Sequence, residues 1–101
     1  MRQVLDEIVA ERVRQEDRWG ESNHPDTYPH FHYWMAPAER FKEITDGRAR
    51  AGVCSYTDVL LEEVAEAIDE ARAGNKRALR EELIQVAAVA VKWVEKIDRG
   101  Y

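Results

Sequence analysis

Leu61-Glu62-Glu63-Val64-Ala65-Glu66-Ala67-Ile68-Asp69-Glu70 sorts its residues onto two faces of a helix. At about 100° per residue, Leu60, Val64, Ala67, Ile68 and Ala71 share one arc, and Glu62, Glu63, Glu66, Asp69 and Glu70 share the opposite one. Ser55 or Thr57 can cap this helix, which runs to about Ala73. The next segment behaves differently. In Leu83-Ile84-Gln85-Val86-Ala87-Ala88-Val89-Ala90-Val91 only Gln85 is polar, so apolar side chains cover nearly the whole circumference. Such a helix must be buried on several sides. A chain of 101 residues offers few helices to surround it, so a partner copy is expected: a homodimer or higher homo-oligomer.

Outward from this pair, residues 2–18 read as a helix with Val4, Leu5, Ile8, Val9 and Val13 at helical spacing. Residues 21–35 read as an aromatic- and His-rich loop, broken by Pro25 and Pro29. Residues 37 to about 50 read as a short, weakly amphipathic helix with Pro37 at its first position. Gly74-Asn75-Lys76 is a tight turn, and a last helix runs from about Arg77 to Asp98. The expectation is one all-α domain over residues 1–101, a helical bundle completed by oligomerisation.

Composition narrows the function. The chain is 35% charged with a net charge of −5, which opposes binding to duplex nucleic acid. Its longest apolar run, Val86 to Val91, is too short to cross a bilayer. The first residues contain no signal-peptide core, and Cys54 is the single cysteine, so no internal disulfide forms; the expected compartment is the cytoplasm.

The acidic arc carries the chemistry. Glu63 and Glu66 are i, i+3 neighbours, and like charges at this spacing oppose helix formation. A solvated acidic face is the ordinary explanation of such a run. The following helix, however, opens Arg80-Glu81-Glu82-Leu83-Ile84-Gln85. Across the short turn the two helices should run antiparallel, with Glu63 and Glu66 offset from Glu82 and Gln85 by only about two residues, or roughly 3 Å. All four then meet at one seam. Carboxylates beside an apolar surface are costly without a cation, and their oxygens suit Mg²⁺ or Mn²⁺.

Glu62-Glu63-x-x-Glu66 followed by Glu82-x-x-Gln85 resembles the EExxE…ExxD signature of the MazG-like all-α nucleoside triphosphate pyrophosphohydrolases. Glu11-Arg12-Val13-Arg14-Gln15-Glu16-Asp17-Arg18-Trp19-Gly20 is similar to the opening of small phage and bacterial members, and the apolar last helix resembles theirs. The resemblance covers residues 4–24 and 55–98; residues 25–54 match nothing in it. It implies a MazG-like bundle that cleaves a (deoxy)nucleoside triphosphate to the monophosphate and pyrophosphate with Mg²⁺. Glu63, Glu66 and Glu82 match three acidic metal ligands, and Gln85 stands where the family has Asp, offering a carbonyl but no charge. Glu62, one turn from Glu66, is a replacement ligand or an orienter of the attacking water. The alternative on the same scaffold is a non-catalytic nucleotide-binding protein, with Gln85 marking a weakened site.

Other residues are weaker candidates for contacts with substrate. Lys92 lies two turns beyond Gln85 on the same face, where it could clamp a phosphate or simply snorkel from an apolar helix. Arg14 and Arg18 are further cations. Gln15 and Trp19, at i and i+4, could read and stack a base, although Trp19 could equally cap the core; Tyr28, Phe31, Tyr33 and Trp34 add aromatics nearby. His24 and the His30-x-His32 pair lack the further ligands that zinc requires.

Overall fold

A computed structural model describes residues 1–28 and 37–100. It is all-helical among the described residues, with four helices in chain order: α1 (Arg2–Trp19), α2 (Ala38–Arg50), α3 (Tyr56–Ala73) and α4 (Lys76–Asp98). The expected helices are all present. Three boundaries move by about one residue, the first being the end of α1, at Trp19 where the sequence places it at residue 18. Pro37 precedes α2 as an extended N-cap (φ −57°, ψ 152°) instead of forming its first turn, and the N–H of Ala38 donates to Asp69 Oδ2 on α3 at 2.9 Å. Asn75 caps α4, accepting from the N–H of Ala78 at 3.1 Å, so that helix begins at Lys76.

The α2–α3 corner is held by polar contacts. Ser55 accepts from the Asp58 N–H, and Asp58 Oδ2 accepts in return from the Ser55 N–H at 3.0 Å, forming a capping box. Asp58 is buried and also pairs with Arg48 of α2. The Thr45 hydroxyl donates to the Asp58 carbonyl at 3.2 Å. These bonds hold the Asp58 carboxyl below its ordinary pKa. The Ser55 backbone N–H contributes most, burial opposes it, and Arg48 adds to the lowering.

Helix α3 packs on both α2 and α4, whereas α1 touches only α4 among the helices. At Gly74 the chain takes the left-handed conformation (φ 73°) that folds α4 back along α3. Tyr56 and Trp93 stack at 5.7 Å near the far end of that hairpin. Val4, Ala65 and Ala67 are the buried apolar residues among those described. The sequence requires α4 to be buried on several sides, yet within one chain none of its residues is buried. No helix among the described residues is long and apolar enough to cross a membrane.

Candidate metal centre

The antiparallel α3–α4 hairpin brings Glu63 and Glu66 opposite Glu82. One carboxylate oxygen from each lies within 4.8 Å of the other two. Among the described residues this is the group of acidic, His or Cys side chains close enough to share a metal ion. The register follows from the turn: Gly74 and Asn75 fix where α4 begins, and i, i+3 spacing on α3 points both of its glutamates at the same turn of α4.

All three carboxylates are half-buried. Glu63 Oε2 and Glu82 Oε2 are out of contact with solvent and have no hydrogen-bond partner. A buried carboxylate oxygen without a donor is strongly disfavoured. The carboxyl pKa values rise in response. Burial raises the pKa of Glu63, and the neighbouring charges of Glu82 and Glu62 raise it further. Burial likewise raises Glu66, which a hydrogen bond with Glu82 and the charges of Glu63, Glu82 and Glu62 push up to about 7.

The donor set fits a hard divalent cation. Three carboxylates converge, and two of their oxygens lack donors. Glu62 is half-buried and close enough for its charge to act on Glu63 and Glu66. Gln85 follows Glu82 by one turn and is exposed.

The remaining candidates lie elsewhere. Lys92 is exposed and lines an opening of about 300 Å³ with Ser55, Tyr56, Val59 and Val89. Val59 is one turn before Glu63 on α3, and none of the three glutamates lines this opening. Gln15 and Trp19 line a separate opening of about 430 Å³ with Arg12 and Glu16. They sit on α1, which does not touch α3. Arg12 donates to Gln15 Oε1 at 2.8 Å and to Glu16 Oε1 at 2.6 Å, which occupies the Gln15 carbonyl and leaves its amide N–H groups as donors. Arg14 pairs with Glu11 at 2.6 Å, and the Arg18 guanidinium lies 4.9 Å from the centroid of the Trp19 ring. His24 lines a neighbouring opening with Trp19 and Asn23. His30, Phe31, His32, Tyr33 and Trp34 lie outside the described residues.

Sequence reasoning named only half of the α2–α3 corner. Ser55 was legible as a cap, but the Arg48–Asp58 pair and the Ala38–Asp69 contact join residues distant in sequence. The Ser55-x-x-Asp58 spacing is the signal that a capping box would form. Compared with protein-family models, with curated proteins and with solved structures, the chain finds no match.

Proposed function

We propose that this chain is a Mg²⁺-dependent nucleoside triphosphate pyrophosphohydrolase of MazG-like type, acting as a homodimer or higher homo-oligomer and converting a (deoxy)nucleoside triphosphate and water to the monophosphate and pyrophosphate. The observation that supports it is the convergence of Glu63, Glu66 and Glu82 within 4.8 Å, with buried, unpartnered oxygens on Glu63 and Glu82. Those three residues would hold Mg²⁺ or Mn²⁺. When bound, the ion supplies charge neutralisation across the phosphate oxygens. Glu62, beside the ligands on α3, orients the attacking water and accepts its proton. Lys92, on α4 beyond Glu82, would offer a cation for the triphosphate. Trp19 and Gln15 offer a stacking face and amide donors for the base, carried on α1.

A second reading is favoured by one residue. Gln85 brings no charge where a fourth acidic ligand would stand, so the same scaffold could bind a nucleotide without turning it over. Incubating the protein with each of the eight NTPs and dNTPs, with Mg²⁺ or Mn²⁺, separates the two. Monophosphate and pyrophosphate appear if it is an enzyme. Saturable nucleotide binding with no product leaves the binder.

A further inference from the structure

Helix α2 is tied to α3 at both ends, and the two ties are unlike. At its C-terminal end, Arg48 pairs with Asp58 and the Thr45 hydroxyl donates to the Asp58 carbonyl, on a buried corner closed by the capping box. At its N-terminal end, the N–H of Ala38 donates to Asp69 Oδ2 at 2.9 Å. Asp69 is a costly residue to place there. It lies one turn beyond Glu66 on α3, where a further carboxylate adds to the repulsion among Glu62, Glu63 and Glu66. In return it holds the first N–H of a helix, whose positive end favours an anion.

The ties set what α2 covers. Asp58, Glu62, Ala65 and Asp69, at i, i+4, i+7 and i+11, form one stripe on α3, and Glu66 borders it. Asp58 and Ala65 are buried, Ala65 at 1% exposure, and Glu62 and Asp69 are half-buried. Among the helices only α2 and α4 pack on α3. The seam of Glu63, Glu66 and Glu82 therefore has α4 as one wall and α2 as the other. Helix α2 runs antiparallel to α3, with Ala38 at Asp69 and Thr45 at Asp58. Phe41, half-buried between the two ties, is level with Ala65, between Glu62 and Glu66.

We infer that Asp69 is a positioning residue for the carboxylate seam: by holding the first turn of α2, it fixes the wall beside Glu62 and Glu66, and so the geometry in which the three carboxylates take a divalent cation. The inference rests on the metal reading of the seam given above and assigns Asp69 no ligand role. A tie that served only to hold the helix would leave ion affinity untouched.

Two substitutions break the tie from opposite sides. Asp69→Ala removes the acceptor. Ala38→Pro removes the donor and leaves every charge in place. Proline is accommodated at the first position of a helix, and Pro37 before it is already extended (ψ 152°), as the residue before a proline must be. The readouts are Mn²⁺ affinity by calorimetry and, in EDTA, hydrogen exchange of residues 39–44. Both variants should exchange faster there and bind Mn²⁺ about tenfold more weakly, the low end of what losing a residue behind the ligands costs. The double variant should be no weaker than either alone, since each change breaks the same bond. Asp69→Asn keeps an acceptor and should bind within about threefold of the native chain. Ala38→Pro and Asp69→Asn decide the matter even if Asp69→Ala unfolds. Native affinity in Ala38→Pro despite faster exchange would overturn the inference and leave the metal reading standing. So would Asp69→Asn binding as weakly as Asp69→Ala, which would make charge the property that matters. A native chain that binds no Mn²⁺ would overturn the metal reading and this inference with it.

Discussion

Glu66 on α3 and Glu82 on α4 bring carboxylate oxygens within 4.8 Å of each other across the hairpin, and burial first, then this contact with Glu82, pushes the Glu66 pKa up to about 7. Two carboxyl groups can share a hydrogen bond only if one holds a proton. A metal ion bound at the seam would compete with that proton for the same oxygens.

The first prediction is proton release. Binding of Mn²⁺ or Mg²⁺ near pH 7 should displace a proton held by the seam, and metal affinity should rise as pH increases through about 7. Calorimetry in two buffers of different ionisation enthalpy reads the proton directly. Equal heats in the two buffers would contradict it.

Metal should also stabilise the fold by mass action. Millimolar Mn²⁺ should raise the melting temperature of the native chain, and Glu63→Ala should remove most of that shift. An equal shift in the variant would place the ion elsewhere.

Without metal, the same groups set a pH dependence of stability. Glu63 and Glu66 have folded pKa values raised above 4.5, so the folded state binds more protons than the unfolded chain above that pH. Their contribution is fully present below 4.5; that of Glu66 is lost as pH rises through about 7, and that of Glu63 as pH rises through its own raised value. In EDTA, urea midpoints should fall between pH 5.5 and 8, and Glu66→Gln should flatten that fall. Asp58 has the opposite sign. Its pKa is lowered, so its contribution is present above 3.8 and is lost as pH falls through the lower folded value.

The cap at the α2–α3 corner should be purely structural. Ser55→Ala removes the side-chain acceptor of the capping box and should cost about 1 kcal/mol in urea unfolding. Metal affinity should not change, since the carboxylate seam begins two turns further along α3. A large loss of metal binding would show that the corner positions the seam.

Much of this was legible in the sequence, for definite physical reasons. Helical period and the Gly74 turn gave the α3–α4 hairpin, and counting from that turn brought Glu63, Glu66 and Glu82 together. The α4 face was harder to read. An all-round apolar sequence says that a helix must be covered but not by what, and one chain leaves Leu83 and Ile84 exposed. Gln15 and Trp19 line one opening on α1, but their distance from the seam depends on how α1 meets α4, which no local pattern encodes. The Arg48–Asp58 pair was hidden because each residue looks like an ordinary surface charge.

Gln85→Asp tests the role of the fourth position. Gln85 is exposed, so a carboxylate there carries little burial penalty. One added charge a turn from Glu82 should tighten Mg²⁺ by about tenfold, or ~1.4 kcal/mol, and should raise turnover. Weaker metal binding or a dissociated oligomer would assign Gln85 to a structural role.

The most direct measurement is ³¹P NMR of a nucleoside triphosphate incubated with the protein and Mg²⁺, beside Glu82→Gln under the same conditions. The account predicts that α-, β- and γ-phosphate signals give way to monophosphate and pyrophosphate alone, at a rate at least a hundredfold lower in the variant, by analogy with the loss of an electrostatic contact at a reacting centre, about 10²–10³. Nucleoside diphosphate and inorganic phosphate, or equal rates for the two proteins, would contradict it.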